Sequence, residues 1–493
     1  MNNQLPTVDS IVVLMLENRS FDNLIGYLYK DAGNRSPNGD AYDGLTGNES
    51  NPDSNGNAVP VQPVANSTTT PDPDPGEEFQ HVNMQLFSVN PAPPNTPATN
   101  KGFVLDYEHV VAASDNPSAS TTQIMNCYPP AAVPCLAEII RRYAVCDRWF
   151  APVPSQTWAN RSFMHAASSN GHVNNAPDNP LLWHIETIFN RLASTNKATW
   201  SVYFDDLAVS LTRLQMSQLW PLGYSKHFHD FEDFLHDANA GKLANYVFLE
   251  PNFFPNPLTQ APANDQHPIH DVAIGDAFIG KVFNAIVSSP QWQANKVLFI
   301  ITYDEHGGCY DHVPPAANAV PPKTGTGDFG FDFKRYGVRV PAVVVSPYVV
   351  KGSVFRAAQG QKDFDHTSIL ATIERRFVID PLTNRDKNAP DLGDLLSLAQ
   401  PRTDSAPVDV PAIVHPLAFA GVAAAGAPDL TQLPMNDLQR SMVTAMHFAT
   451  TAAPAEGVAV APLAAHAMQP PQTLNTVGDA FAYIREGRKR LGI

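Results

Sequence analysis

Four short runs of apolar, largely β-branched residues leave this chain few folds to choose from: IVVLML at 11–16, YVFL at 246–249, VLFIIT at 297–302 and AVVVS at 342–346. A strand with one wet face alternates apolar and polar residues, whereas an unbroken apolar run belongs in a sheet covered on both sides. Between the runs, apolar residues recur three and four apart, as in Leu136, Ile139, Ile140 and Tyr143 or Phe278, Val282, Ala285 and Ile286, which is the spacing of one helix face. The alternation predicts an α/β fold with a central, mostly parallel sheet flanked by helices.

The residues just past these strands carry the chemistry. The first positions beyond three of them are acidic: Glu17 after the first, Glu250 after YVFL, and Asp304 with Glu305 after VLFIITY. Ligands in open α/β sheets sit past the carboxyl ends of the strands, so one edge is expected to collect several carboxylates. Such a like-charge cluster is unfavourable without a cation among its members. The stretch TYDEHGGCYDH adds His306, Asp311 and His312 around Gly307 and Gly308, whose tolerance of positive φ lets the backbone double back. Oxygen donors beside imidazole suit a divalent ion, and zinc, manganese, magnesium and calcium all remain open.

Two further histidine clusters are NDQHPIHDV, with His267 and His270 on a proline-broken loop, and FDHTSIL, where His366 precedes a helix capped by Thr367 or Ser368. In SQTWANRSFMHAA a turn leads into a helix that Thr157 opens, where free N–H groups and the helix dipole favour an anion such as phosphate.

The chain has 493 residues, 48 acidic against 32 basic, and a formal net charge of −16, with no Lys/Arg-rich run; nucleic acid is not expected as a partner. MNNQLPTVDS has no features of a secretory leader, and the segment 416–428 is too short and too Ala/Gly-rich to span a bilayer, so a soluble protein without a transmembrane segment is expected. Four cysteines without a CxxC pair read as buried, reduced thiols, with a small Cys127–Cys135 disulfide loop the alternative in an oxidising compartment. Ten prolines between 51 and 100 mark a surface insertion over 48–101 within a catalytic domain spanning 1–400, with 401–493 an extension packed on it.

Taken together, LMLENRSFDNLIGY, CDRWFAPVPSQTWANRSF, NDQHPIHDV, TYDEHGGCYDHVPPA and DHTSIL resemble the bacterial phospholipase C and acid phosphatase family within the alkaline-phosphatase superfamily, in order from about residue 9 to 380. The resemblance implies that Glu17, Asn18, Asp304 and Glu305 hold metal together with Thr157, which matches the nucleophile. It also implies that His267, His270 and His366 act near the phosphate and leaving group, with Asn18, Asn160 and His306 on the substrate. The family usually carries proline where this chain has Ala159, which bears on the local backbone of TWANR. Two N-x-S sequons, at Asn18 and Asn160, fall inside these motifs; they read as coincidental and the chain as bacterial.

The implied activity is metal-dependent cleavage of a phospholipid to diacylglycerol and a phosphorylated headgroup through a phosphothreonine, with retention at phosphorus. The alternative is an acid phosphatase acting on soluble monoesters with the same residues; Thr157 favours the lipase branch. Two remoter readings are a calcium-binding module without turnover and a glycosidase with paired carboxylates.

Overall fold

A computed structural model describes residues 3–65, 67–93, 96–175, 183–204, 209–256, 261–412, 429–451 and 473–491. Eight strands form one mixed sheet: β1 (Ser10–Leu16), β2 (Ala144–Cys146), β3 (Trp200–Phe204), β4 (Phe228–Asp230), β5 (Tyr246–Glu250), β6 (Val297–Tyr303), β7 (Ala342–Val345) and β8 (Ser353–Phe355). Their order is β8-β2-β7-β6-β1-β5-β3-β4. The central strands β6, β1, β5 and β3 are parallel, whereas β7 runs antiparallel to both β6 and β2. Every residue of β1 and β6 is buried, as their unbroken apolar character requires. The four strands missing from the sequence reading, β2, β3, β4 and β8, lie towards the sheet's margins; β2, β4 and β8 have three residues each, too few to show a period, and Ser201 interrupts the apolar run of β3.

Helices cover the sheet where the three-and-four spacing predicts them, Pro134–Arg142 and Val272–Val287 among them. The register at the centre positions the acidic residues. Leu16 pairs with Tyr303 at the last rung of β1 and β6, so the next residues of both strands leave the sheet side by side. Glu250, expected beyond its strand, is instead still within β5, paired with Phe204.

The proline-rich insertion is more deeply integrated than a surface loop. Its helix Phe79–Phe87 and the next helix, Phe103–Ala113, share a core with Cys127, Tyr310 and Val338. At the other end of the chain, helices Asp437–Thr451 and Val477–Leu491 bury Met442, Met446, Phe481 and Ile484 against Trp158, Phe163 and Phe253. The four cysteines are free and buried. Among the described residues no helix is long and apolar enough to cross a membrane; the segment 416–428 lies outside them.

Candidate active site

The turns after β1 and β6 bring Glu17, Asn18, Asp304 and Glu305 together, all fully buried. Backbone groups hold the juxtaposition: the N–H groups of Asn18 and Glu305 both donate to Asp304 Oδ1, at 3.1 and 2.8 Å. Asn18 sits in the left-handed region (φ 51°), and a Cβ on Gly307 (φ 60°) would come within 2.2 Å of the Asn18 carbonyl oxygen. Only glycine permits that approach, which explains its place after the acidic pair.

Thr157 opens the helix Thr157–Ala166, as its sequence predicts. Its hydroxyl donates to Glu17 Oε2 (3.2 Å) and lies 3.4 Å from Asn18 Oδ1. One turn further, on the same helix face, Arg161 donates through Nε to Glu17 Oε1 (2.8 Å) and through Nη2 to the same oxygen, with Nε 3.5 Å from Asp304 Oδ2. Asn18 Nδ2 then donates to Glu77 Oε2 (2.6 Å). Glu77 Oε1 is 3.3 Å from His267 Nε2, and His267 Nδ1 is 3.6 Å from Asp74 Oδ2. Asp74, Glu77 and His267 present ligand atoms within 4.8 Å of one another.

Burial and mutual repulsion shape the electrostatics of this cluster. Burial raises the carboxyls of Glu17, Asp304 and Glu305; neighbouring carboxylates add to the rise at Glu17 and Glu305, and Arg161 opposes it at Glu17 and Asp304. Burial also disfavours the charges of Glu77 and His267, yet each stabilises the other, so Glu77 is lowered and His267, helped by Asp74, is raised well above an ordinary histidine. Glu305 Oε2 accepts from Gly307 N–H (2.7 Å). Glu305 Oε1 and Asp304 Oδ2 are buried and accept no hydrogen bond among the described residues. Asp304 Oδ2 has only the Arg161 guanidinium at 3.5 Å, and Glu305 Oε1 has no hydrogen bond among these residues; buried carboxylate oxygens so incompletely satisfied are costly, and oxygen donors of this kind fit a divalent metal such as the sequence implies.

Several predicted residues are placed otherwise. Asn160 does not face the cluster: its Oδ1 accepts from Val153 N–H (3.0 Å) and its Nδ2 donates to the carbonyls of Ser155 (2.7 Å) and Gln156 (3.1 Å), so it braces the turn ahead of Thr157. The Ala159 position is accommodated within the same buried helix. His306 is held between Gln85 and Glu305, with Nε2 on Gln85 Oε1 (2.7 Å) and Nδ1 3.1 Å from Glu305 Oε2; burial lowers it to about 3.

His366 has both ring nitrogens engaged. Trp149 Nε1–H donates to Nδ1 (3.2 Å), and Nε2 donates to the Asp304 carbonyl (2.7 Å), while burial lowers the ring to about 4. It thereby ties the Asp304 backbone to the helix Thr367–Phe377. His270 Nδ1 is held by Asp265 Oδ1 (2.6 Å). Glu250, still in its strand, accepts from the N–H and hydroxyl of Thr212 (both 2.8 Å). Both sequon asparagines are fully buried.

The sequence reading missed Arg161, Asp74, Glu77 and Asp265. Arg161 left a signal, since it stands one helical turn after Thr157. Asp74 and Glu77 lie in the proline-rich insertion, where acidic residues look like solvated loop. The first turn of the C-terminal helix Asp437–Thr451 also comes close: burial raises the Asp437 carboxyl first, and the charge of Glu77 raises it further.

A model of the phosphoesterase family matches residues 8–380. Non-specific phospholipase C6 of Arabidopsis thaliana is 37% identical over 425 residues, covering 82% of this chain and 75% of that protein. Non-specific phospholipase C3 of the same plant is 36% identical over 420 residues, covering 82% and 76%. A solved member of the alkaline phosphatase superfamily from Vibrio parahaemolyticus aligns with a TM-score of 0.32 at 13% identity, over 54% of this chain and 64% of that one.

Proposed function

The chain belongs to the phosphoesterase family, a hydrolase family, and from that premise we propose that it is a phospholipase C-like enzyme that cleaves phospholipids to diacylglycerol and a phosphorylated headgroup. The observation that carries this reading is the Thr157 hydroxyl, at the start of a helix and hydrogen-bonded to Glu17 inside a cluster of buried, partly unpaired carboxylate oxygens. Glu17, Asn18, Asp304 and Glu305 would hold a divalent cation, with Glu77 and His267 next to them. When bound, such an ion supplies positive charge against phosphoryl oxygens and favours the ionised form of a nearby hydroxyl.

The chain's own residues do the rest. Thr157 Oγ1 attacks phosphorus as its proton passes to Glu17 Oε2, and Arg161 keeps the Glu17 carboxylate turned towards it. The bond from phosphorus to the glycerol oxygen breaks, leaving a phosphothreonine and an alkoxide that takes its proton from His267 or His270. The same imidazole then removes a proton from the water that attacks the phosphothreonine, the bond from phosphorus to Thr157 Oγ1 breaks, and Glu17 Oε2 returns its proton to the departing Thr157 oxygen. Two in-line displacements give retention at phosphorus. His366 acts by positioning Asp304, and Asn160 by bracing the turn before Thr157.

The test is initial rates on p-nitrophenylphosphorylcholine and p-nitrophenyl phosphate, for wild type and Thr157→Ala, with and without chelator. Diester turnover lost on mutation and on chelation is the expected result. Turnover of the monoester alone would move the protein to acid phosphatase, and activity surviving in Thr157→Ala would remove Thr157 as nucleophile.

A further inference from the structure

A groove of about 1140 Å³ opens beside the helix Phe79–Phe87, which starts two residues after Glu77. One part of its wall is apolar, built from Phe79, Phe329, Phe331 and prolines of two loops, Pro91 and Pro314 among them, and Asn83, Asp332, Lys334 and Arg335 line the rest. Phe329 is 65% exposed. It stacks on Phe79 with ring centroids 5.7 Å apart and planes at 10°, from a left-handed backbone (φ 52°) that bulky residues rarely adopt. A large side chain held out of the core on an unfavourable backbone points to a contact made outside the molecule.

The groove also carries a cation that makes no ion pair among the described residues. The Arg335 guanidinium lies over the rings of Phe87 (4.7 Å) and Phe331 (5.6 Å). Its Nη2 donates to Asn83 Oδ1 (3.0 Å), and its Nε is buried without a hydrogen-bond partner among the described residues. Neighbouring Lys334 is paired with Asp332 at 3.3 Å. A ligand that complements this surface needs an apolar body for the aromatic and proline walls and one anionic group for Arg335. A phospholipid has both, and the chain's net charge of −16 favours a bilayer that is zwitterionic over one that is strongly anionic.

We infer that the groove between Phe79, Phe329 and Arg335 is the surface by which the protein docks on a zwitterionic phospholipid bilayer, with acyl chain or glycerol against the aromatic wall and a lipid phosphate at Arg335. The inference rests on the phospholipase C reading for its biological sense but not for its test. The helix Phe79–Phe87 beside the groove begins two residues after Glu77, which bonds Asn18, so the bound lipid surface lies near the buried cluster.

The test is co-sedimentation of the full chain with phosphatidylcholine vesicles, for wild type, Phe329→Asp and Arg335→Gln, alongside turnover of soluble p-nitrophenylphosphorylcholine. Aspartate tolerates left-handed φ, so Phe329→Asp leaves the backbone unstrained. The expected result is about tenfold weaker vesicle partition for Phe329→Asp, the loss of one buried aromatic side chain, a smaller loss for Arg335→Gln, and unchanged soluble turnover for Phe329→Asp. The inference is overturned if wild type does not sediment with these vesicles, if it sediments only with anionic ones, or if all three proteins partition alike. It is also overturned if Phe329→Asp lowers soluble turnover as much as partition, or if it abolishes a dimer instead. Vesicle binding by a wild type that hydrolyses no phosphodiester would leave the groove standing and remove the phospholipase reading.

Discussion

Two acidic clusters grow from the same two stretches of chain, 17–22 and 304–312, and they are completed in opposite ways. In one, Arg339 donates to Asp22 Oδ1 (3.0 Å), Asp311 Oδ1 (2.9 Å) and two backbone carbonyls, and His312 donates to Asp22 Oδ2 from its ring (2.6 Å) and its N–H (2.7 Å). Asp22, Asp311 and His312 could by spacing hold a metal, but Arg339 already occupies the place of the cation. In the other, Arg161 satisfies Glu17 and leaves Asp304 Oδ2 and Glu305 Oε1 without hydrogen bonds. The two clusters therefore differ in how completely the protein satisfies their carboxylate oxygens, and the less satisfied one is the metal site we propose.

The largest expected effect belongs to the open cluster. Thr157→Ala should reduce diester turnover by about 10⁴–10⁶-fold, with little change in melting temperature, because it removes the nucleophile and only a small part of the packing. Equal loss from a conservative change in the closed cluster, such as Asp311→Asn, would break the distinction. Next in size, Arg339→Met strands Asp22 and Asp311 as buried carboxylates and should cost about 3–5 kcal/mol in chemical denaturation. A divalent cation should stabilise Arg339→Met by more than wild type over chelated samples, since the substitution vacates the place between Asp22, Asp311 and His312 that the guanidinium fills; an equal increment would show that these carboxylates do not take an ion even without Arg339.

A smaller effect comes from His312. Burial lowers its tendency to hold a proton, but Asp22 and Asp43 more than offset this and raise it from 6.5 to about 10. A group raised on folding contributes stability that is fully present below its unfolded value and lost as pH rises through the folded one. The urea midpoint should therefore fall between neutral pH and about 10, and this alkaline limb should flatten in His312→Gln. The smallest is Asn160→Ala, which leaves Val153 N–H without its acceptor at a cost of about 1–3 kcal/mol. Turnover should fall through kcat, with KM for a soluble diester little changed; a rise in KM alone would return Asn160 to the substrate.

Much of the open cluster was legible because its members sit within a few residues of strand ends. Once β1 and β6 are recognised as neighbouring parallel strands, Glu17 and Asp304 have nowhere else to go. His306 and His366 were legible as motif members but their contacts were not, since Gln85 and Trp149 are distant in sequence; the contacts of Asn160 are local, with Val153, Ser155 and Gln156, but depend on the path of the proline-broken turn before it. Glu77 was hidden for the same reason, as nothing in a run of prolines and acids says that Asn18 and His267 wait for it.

Apolar periodicity and short-range geometry are local properties, and they were enough to specify the central strands, the helix that presents Thr157, and the strand ends that carry Glu17, Asp304 and Glu305. They could not specify which acidic cluster is saturated by Arg339 and which keeps unpaired oxygens, nor that the insertion supplies Asp74 and Glu77; those outcomes belong to the packed chain. The energy of a buried charge depends on what surrounds it in space, and those neighbours come from parts of the chain hundreds of residues apart.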